Sequence, residues 1–113
     1  MIGLPLLVDG LMFYLTMIIN GYEIKPGACL RWANLENADL KNANLRGAKL
    51  YCANLKNAYL WKADLTGAIL IYANLEGAYL GDANLSYANF KNANLKNAYI
   101  ETSILNRTIL ERT

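Results

Sequence analysis

The side chains of this 113-residue chain that could carry out chemistry are few and far apart. There is no histidine, so the usual general base, proton shuttle and nitrogen ligand for a metal are all absent. The two cysteines, Cys29 and Cys52, fit no Cys-x-x-Cys metal spacing and are predicted to be free thiols in a reducing compartment. The sequence therefore predicts a cytoplasmic protein that is not an enzyme and holds no cofactor or metal.

The charged side chains give no sign of a nucleic-acid site. Eleven Lys and Arg residues against nine Asp and Glu give a net charge of +2, and the basic residues are scattered singly along the chain. A nucleic-acid surface needs clustered cations, so this arrangement indicates a solvated surface with no nucleic-acid partner.

A five-residue period organises the chain from residue 28 to residue 112 without an insertion. Ala recurs from Ala28 to Ala98, followed by Ser103 and Thr108, and a large apolar residue stands two positions after each of them. Strands repeat every second residue and helices every 3.6, so neither element has this period. So strict a repeat predicts a solenoid whose small units stack on one another with Ala and Leu inward.

The fifth position of each unit indicates how the chain turns. Gly and Asn are frequent there, as at Asn37, Gly47 and Gly67. A type II turn from the Leu to the next Ala needs a positive φ at this position, and Gly and Asn adopt that conformation most readily. One short extended piece and one corner per unit are therefore expected.

This Ala-[Asn/Asp]-Leu-x-x pattern over residues 28–112 closely resembles the pentapeptide repeat family. The resemblance implies an all-β fold, a right-handed quadrilateral β-helix of about four coils with four pentapeptides in each. It divides the chain into an N-terminal apolar segment and lead-in, residues 1–27, and a repeat domain, residues 28–113. Coils of this kind stack at the strand spacing of about 4.8 Å.

Side chains twenty positions apart test the square cross-section independently. If four units close a coil, such residues should stack in outward columns, and they form coherent sets. The columns are Glu36, Lys56, Glu76 and Lys96; Asn34, Asn54, Asn74 and Asn94; and Tyr59, Tyr79 and Tyr99.

Two of the predicted faces are candidate interaction surfaces. The aromatic column consists of Tyr59, Trp61, Tyr79 and Tyr99, on a face that also carries Lys41, and it fits either a partner surface or a stabilising ladder. The apolar face collects outward residues that should be covered by another part of the chain or by a partner. It consists of Cys29, Trp32, Tyr51, Cys52, Ile69, Ile71 and Tyr72, of which the five apart from the cysteines are the candidate contacts.

The first 21 residues lack the five-residue period and are strongly apolar. We predict a helix over residues 11–19, ended by Asn20-Gly21, that packs on the first coil or along the apolar face. Membrane contact through residues 2–19 is an alternative, weakened by Asp9. A translation start at Met12 or Met17 is another.

These patterns favour a structural or protein-interaction module with an unidentified protein partner. The resemblance also raises DNA mimicry against gyrase, which the net positive charge and short repeat disfavour. At the C-terminal end of the repeat, the outward Ile104 and Ile109 predict an end-to-end homodimer.

Overall fold

The computed structural model describes residues 5–8 and 11–14 by their backbone, and residues 17–113 in full. From residue 28 onward the chain is a β-helix, in which each turn of the solenoid, called a coil below, takes twenty residues. Parallel bridges join residues twenty positions apart, beginning with Cys29–Lys49 and ending with Asn89–Ile109. The repeat therefore positions one side chain directly over another, as the outward columns predict.

Backbone hydrogen bonds between neighbouring coils hold the stack together. The Leu30 N–H donates to the Lys49 carbonyl at 2.8 Å, and the Lys49 N–H donates to the Ala28 carbonyl at 2.9 Å. The same pattern recurs at later units, so most backbone groups of the inner coils are paired although no extended piece is long enough to be a regular strand.

All units from residue 28 onward except the one that ends at Thr102 have the positive φ of the predicted type II turn. The Ala33 N–H donates to the Leu30 carbonyl at 3.1 Å, and equivalent bonds close the later corners. Every corner position from Trp32 to Arg112 except Thr102 has a φ between 54° and 67°. The positive φ that favours Asn and Gly is thus confirmed at nearly every corner.

The second position of each unit has a role that explains its Asn and Asp residues. The Asn34 Oδ1 accepts a hydrogen bond from the Glu36 N–H at 3.2 Å, and Asp64 Oδ1 accepts from the Thr66 N–H at 3.0 Å. These Asx bonds satisfy the N–H that enters the turn, which no other backbone group reaches.

The Ala and Leu positions form one continuous core along the solenoid. Leu35 to Leu80 are fully buried at every unit, Phe90 fills the same position later, and the Ala positions are buried from Ala28 to Ala93. Met17 and Ile24 from the N-terminal region belong to the same buried cluster.

The predicted helix over residues 11–19 is wrong for the residues that the structure describes there. They form antiparallel hairpins, with β1 (Pro5–Val8) paired to β2 (Leu11–Tyr14), and β3 (Met17–Ile19) paired to β4 (Tyr22–Ile24). Asn20 and Gly21 have φ values of 52° and 82°, the left-handed pair of a two-residue hairpin turn. Asn-Gly was therefore a hairpin signal and not a helix stop.

Among the described residues, no helix is both long and apolar enough to cross a membrane. Residues 1–4, 9–10 and 15–16 lie outside the description, and with them much of the segment 2–19 considered for membrane contact.

The last coil departs from the pattern at Thr102, the one corner without a positive φ. The Asp82 N–H donates to the Thr102 Oγ1 at 2.9 Å, in place of the backbone carbonyl used at other corners. Ser103 and Thr108, which replace the inward Ala, donate their hydroxyls to the carbonyls of Leu80 and Leu85 at 2.6 Å. Each departure is thus matched by a side-chain hydrogen bond.

Candidate functional site

The apolar face lies on one wall of the solenoid and on the corner that follows it. Trp32 is 77% exposed and Tyr72 is 63% exposed, both at corner positions. Tyr51, Ile69 and Ile71 lie between them and are half-buried. The structure brings all five predicted contact residues to one side of the solenoid, and nothing in the described chain covers Trp32 or Tyr72.

The two aromatic corners of the apolar face are conformationally unfavourable; a third exposed aromatic corner, Tyr87, lies on another wall. Trp32 has a φ of 61° and Tyr72 a φ of 59°, a region in which a bulky side chain crowds the backbone. Asn occupies the same position at Asn37 and Asn42 with the same backbone angle. Trp32 and Tyr72 therefore add strain and leave large apolar surfaces in water.

Ile69, on the same wall, lacks a local hydrogen bond that other units make at the same position. It occupies the second position of its unit, where Asn74 and Asn84 of later units accept a hydrogen bond from the N–H two residues on. An isoleucine side chain has no acceptor, so that bond is lost at Ile69.

The wall that carries the apolar face is basic. Arg31, Lys49 and Lys91 lie on it, and it carries no acidic residue before Glu111. The guanidinium carbon of Arg31 lies 5.1 Å from the centre of the Tyr51 ring, which orients this cation along the face.

Cys29 and Cys52 lie on the same face as free thiols. Cys29 is exposed and Cys52 is half-buried. The prediction that these two residues do not form a disulfide with each other is confirmed.

The aromatic column occupies a different wall and is arranged partly as a ladder. The Tyr79 and Tyr99 rings are stacked, with centroids 4.9 Å apart and planes inclined by 7°. Bridges align Tyr59, Tyr79 and Tyr99 in adjacent coils. Trp61 lies beside the ladder, in the neighbouring column of residues 41, 61, 81 and 101, and its indole Nε1 donates to the Asp82 carboxylate at 3.1 Å.

A groove of about 290 Å³ opens beside this column. Its lining consists of Lys41, Tyr59, Trp61 and Tyr79. The sequence placed these four residues on one face but did not predict the groove. The sequence did not predict a role for Gly81 and Asp82 beside this groove. Residues 41, 61, 81 and 101 share one column, however, and this spacing already placed a glycine next to Trp61.

The Asn and Glu/Lys columns form a polar wall. The Asn94 amide donates to the Asn74 Oδ1 at 3.3 Å, and the Asn54 amide donates to Glu36 at 3.3 Å. None of the ion pairs found in the described residues joins Glu36, Lys56, Glu76 or Lys96.

The remaining wall contains one partly sheltered carboxylate, Asp64. Burial raises its pKa, but hydrogen bonds from Thr66 and the guanidinium of Arg46 at 3.2 Å outweigh this effect, so the pKa of Asp64 lies below its ordinary value. Its interactions stabilise a corner of the fold and do not prepare it for catalysis.

At the C-terminal end of the solenoid, Ile104 and Ile109 are outward and exposed by 51% and 44%. The inward Leu95, Ile100 and Leu110 are only partly buried there and line a cavity of about 480 Å³. Apolar surface is therefore accessible both at the rim and at the centre of this end.

No group of three metal-ligating side chains occurs among the residues that the structure describes.

Sequence comparison identifies the repeat. The family described as Pentapeptide repeats matches residues 28–67, 48–86 and 73–112, with 8 copies. No curated protein sequence matches the chain significantly.

Comparison with solved structures gives the same fold. A pentapeptide repeat protein from the Arabidopsis thaliana thylakoid lumen is 29% identical with a TM-score of 0.71, over 74% of this chain and 59% of that one. A pentapeptide repeat protein from Nostoc is 37% identical with a TM-score of 0.64, over 65% of this chain and 60% of that one. The chain thus spans about three fifths of the length of each of these proteins. Pentapeptide repeat proteins adopt a right-handed β-helix.

Proposed function

Because the chain belongs to the pentapeptide repeat family, whose members are generally not enzymes, we propose that it is a binding protein that docks on another protein through its apolar face. The docking residues are Trp32, Tyr51, Ile69, Ile71 and Tyr72.

The single observation that carries the proposal is that two of the three exposed aromatic corners lie together on the apolar face, whereas the third, Tyr87, lies on the wall that contains Asp64. Trp32 and Tyr72 stand where Asn or Gly would relieve strain and expose less apolar surface. Side chains that oppose stability in this way are typical of functional positions. Trp and Tyr are also the side chains that most often anchor protein interfaces.

The charges on the wall suggest the chemistry of the partner. Arg31, Lys49 and Lys91 flank the apolar side chains with no acidic residue among them before Glu111. A complementary surface would present an apolar patch bordered by Asp and Glu, because such charges speed encounter and set orientation.

Two features of the whole solenoid belong to the same proposal. We infer a quadrilateral rod of about four coils whose N-terminal end is capped by the β3–β4 hairpin, supported by the buried Met17 and Ile24. We also infer a reducing, cytoplasmic location, supported by the free thiols of Cys29 and Cys52. The alternative to this cap is that residues 2–19 contact a membrane.

A second contact is proposed at the C-terminal end, where two copies would meet end to end. The exposed Ile104 and Ile109 and the accessible Leu95, Ile100 and Leu110 support it. Pairing through this end would cover these apolar side chains.

Affinity capture from the native host tests the docking face. The bait is the purified chain, compared with a Trp32→Asn, Tyr72→Asn double variant whose new side chains suit the corner conformation. Lys56→Ala, on the polar wall, is the matched control. We expect one protein to be retained by the wild type and by the control and lost with the double variant.

A partner that binds the wild type and the double variant equally would contradict the proposal. Thermal unfolding of all three baits, measured alongside, separates a lost contact from a lost fold.

A further inference from the structure

The groove on the aromatic wall is separate from the apolar face and has a defined floor. Gly81 is buried, and a Cβ built on it would lie 3.0 Å from Trp61 Cδ1 and 3.0 Å from Tyr79 Cε1. The absence of a side chain at Gly81 therefore lets the indole and the phenol rings lie against the wall. The groove depends on this one position.

Trp61 is held in place from two further sides. Its Nε1 donates to Asp82 at 3.1 Å, and the Lys62 ammonium nitrogen lies 4.7 Å from the centre of its ring. An aromatic side chain fixed in this way offers a preformed flat surface and loses little entropy when a ligand binds.

Tyr59 and Tyr79 occupy second positions of their units, where Asn or Asp would accept an Asx hydrogen bond. Asp39, in the same column one coil before Tyr59, makes that bond to the Lys41 N–H at 3.2 Å. The two tyrosines forgo it, so their presence is not explained by the local backbone.

Charge limits what the groove can accept. Lys41 supplies the only formal charge in its lining. The Asp39 carboxylate lies 3.8 Å from the Lys41 nitrogen, a long and exposed ion pair that leaves the ammonium free to bind another anion. The Asp82 carboxylate accepts the Trp61 indole N–H and does not line the groove. The charge within the lining is therefore positive, which favours an anionic ligand over a cationic one.

We propose that this groove binds a six-membered ring that carries a carboxylate. The ring packs against Trp61 and Tyr59, and the carboxylate binds the Lys41 ammonium. A volume of about 290 Å³ suits one ring and its substituent, at the lower end of the range for ligand sites. An aromatic acid and a uronic acid unit of a sugar share this chemistry.

Nuclear magnetic resonance of the indole N–H tests the site. The chain contains two tryptophans, so a Trp32→Phe variant leaves Trp61 as the only indole signal. The probes are benzoate and glucuronate, with benzyl alcohol and glucose as neutral counterparts and benzylamine as the cationic one.

We expect a saturable shift of the Trp61 signal with at least one acid, at about five- to tenfold lower concentration than with its neutral counterpart. Saturation with benzoate alone identifies an aromatic acid, and saturation with glucuronate alone identifies a sugar acid. No saturation with either acid, or tighter binding of benzylamine, overturns the proposal.

Two variants in the same background locate the site. Lys41→Met keeps the aliphatic stem and should remove the preference for the acid, whereas Lys56→Met on the polar wall should not. Gly81→Ala should weaken binding of both the acid and its neutral counterpart, because it displaces the Trp61 ring. Equal binding by Lys41→Met and Lys56→Met would contradict the assignment of Lys41.

Discussion

Replacing the two exposed aromatic corners of the apolar face by asparagine should make the protein more stable. Trp32 and Tyr72 have φ values of 61° and 59° and are 77% and 63% exposed. The left-handed conformation costs a bulky L-residue about 1–2 kcal/mol, part of which Asn avoids. Because so much of each side chain is in water, little burial is lost. We therefore expect the double variant to gain about 1 kcal/mol in the free energy of unfolding.

Urea unfolding, followed by circular dichroism, measures this difference. The midpoint should rise with an unchanged slope, since the buried surface is nearly the same. The reciprocal variant Asn37→Trp, at a corner with a φ of 59°, should lose a similar amount. If Trp32→Asn, Tyr72→Asn were instead less stable by about 1 kcal/mol or more, the two aromatics would be structural and the argument for a docking face would fail.

Four further outcomes follow from the fold and its charges. Leu55→Asp should abolish folding in circular dichroism, because an unpaired carboxylate cannot be accommodated in the core. Lys56→Ala should change stability by less than about 1 kcal/mol. Equal effects of the two substitutions would overturn the assignment of inward and outward positions. Light scattering should show that the wild type is a dimer and that the Ile104→Lys, Ile109→Lys double variant is a monomer. A wild type that stays monomeric at about 100 μM, a concentration well above a micromolar Kd, would exclude the dimer. Folding lowers the pKa of Asp64, so the stability that this carboxylate contributes is present above its ordinary pKa of 3.8 and is lost as pH falls through the folded pKa. Asp64→Asn should therefore be less stable than the wild type at neutral pH and equally stable in strong acid. A difference in stability that persists in strong acid would contradict this. Gyrase supercoiling should be unaffected by the protein, and a dose-dependent block would favour DNA mimicry.

The repeat fold could be predicted from the sequence because a five-residue period restricts the backbone to one kind of path. Ala33 and Leu35 return to the same side every five residues, and only a chain that turns a corner in each unit achieves this. Residues twenty apart, such as Asn34 and Asn54, then predicted the bridges that the structure contains. In a long uniform repeat every unit shows the same inward and outward pattern, so each unit supports the same assignment.

The N-terminal hairpins could not be predicted in the same way. The apolar residues of 11–19 have no clear helical or alternating period, and Asn20-Gly21 fits both a helix stop and a hairpin turn. In the structure the strands pair across this turn, as between Ile19 and Tyr22, and the hairpin joins the buried core through Met17 and Ile24. That packing involves residues far along the chain, which the local sequence does not show.

The candidate sites were predictable as residue sets but not as shapes. The columns placed Lys41, Tyr59 and Trp61 on one wall, yet the groove depends on where the Trp61 ring turns. That direction is set by Asp82 and by the bare backbone of Gly81, which are side-chain details beyond a repeat pattern.

Site-specific photo-crosslinking in the native host tests the docking face most directly. A photoreactive amino acid at Ile71, half-buried on the apolar face, should yield one covalent adduct with a partner protein. The same amino acid at Lys56, on the polar wall, should yield none. An adduct formed equally at both positions, or at Lys56 alone, would contradict the claim that the apolar face is the surface through which this protein binds.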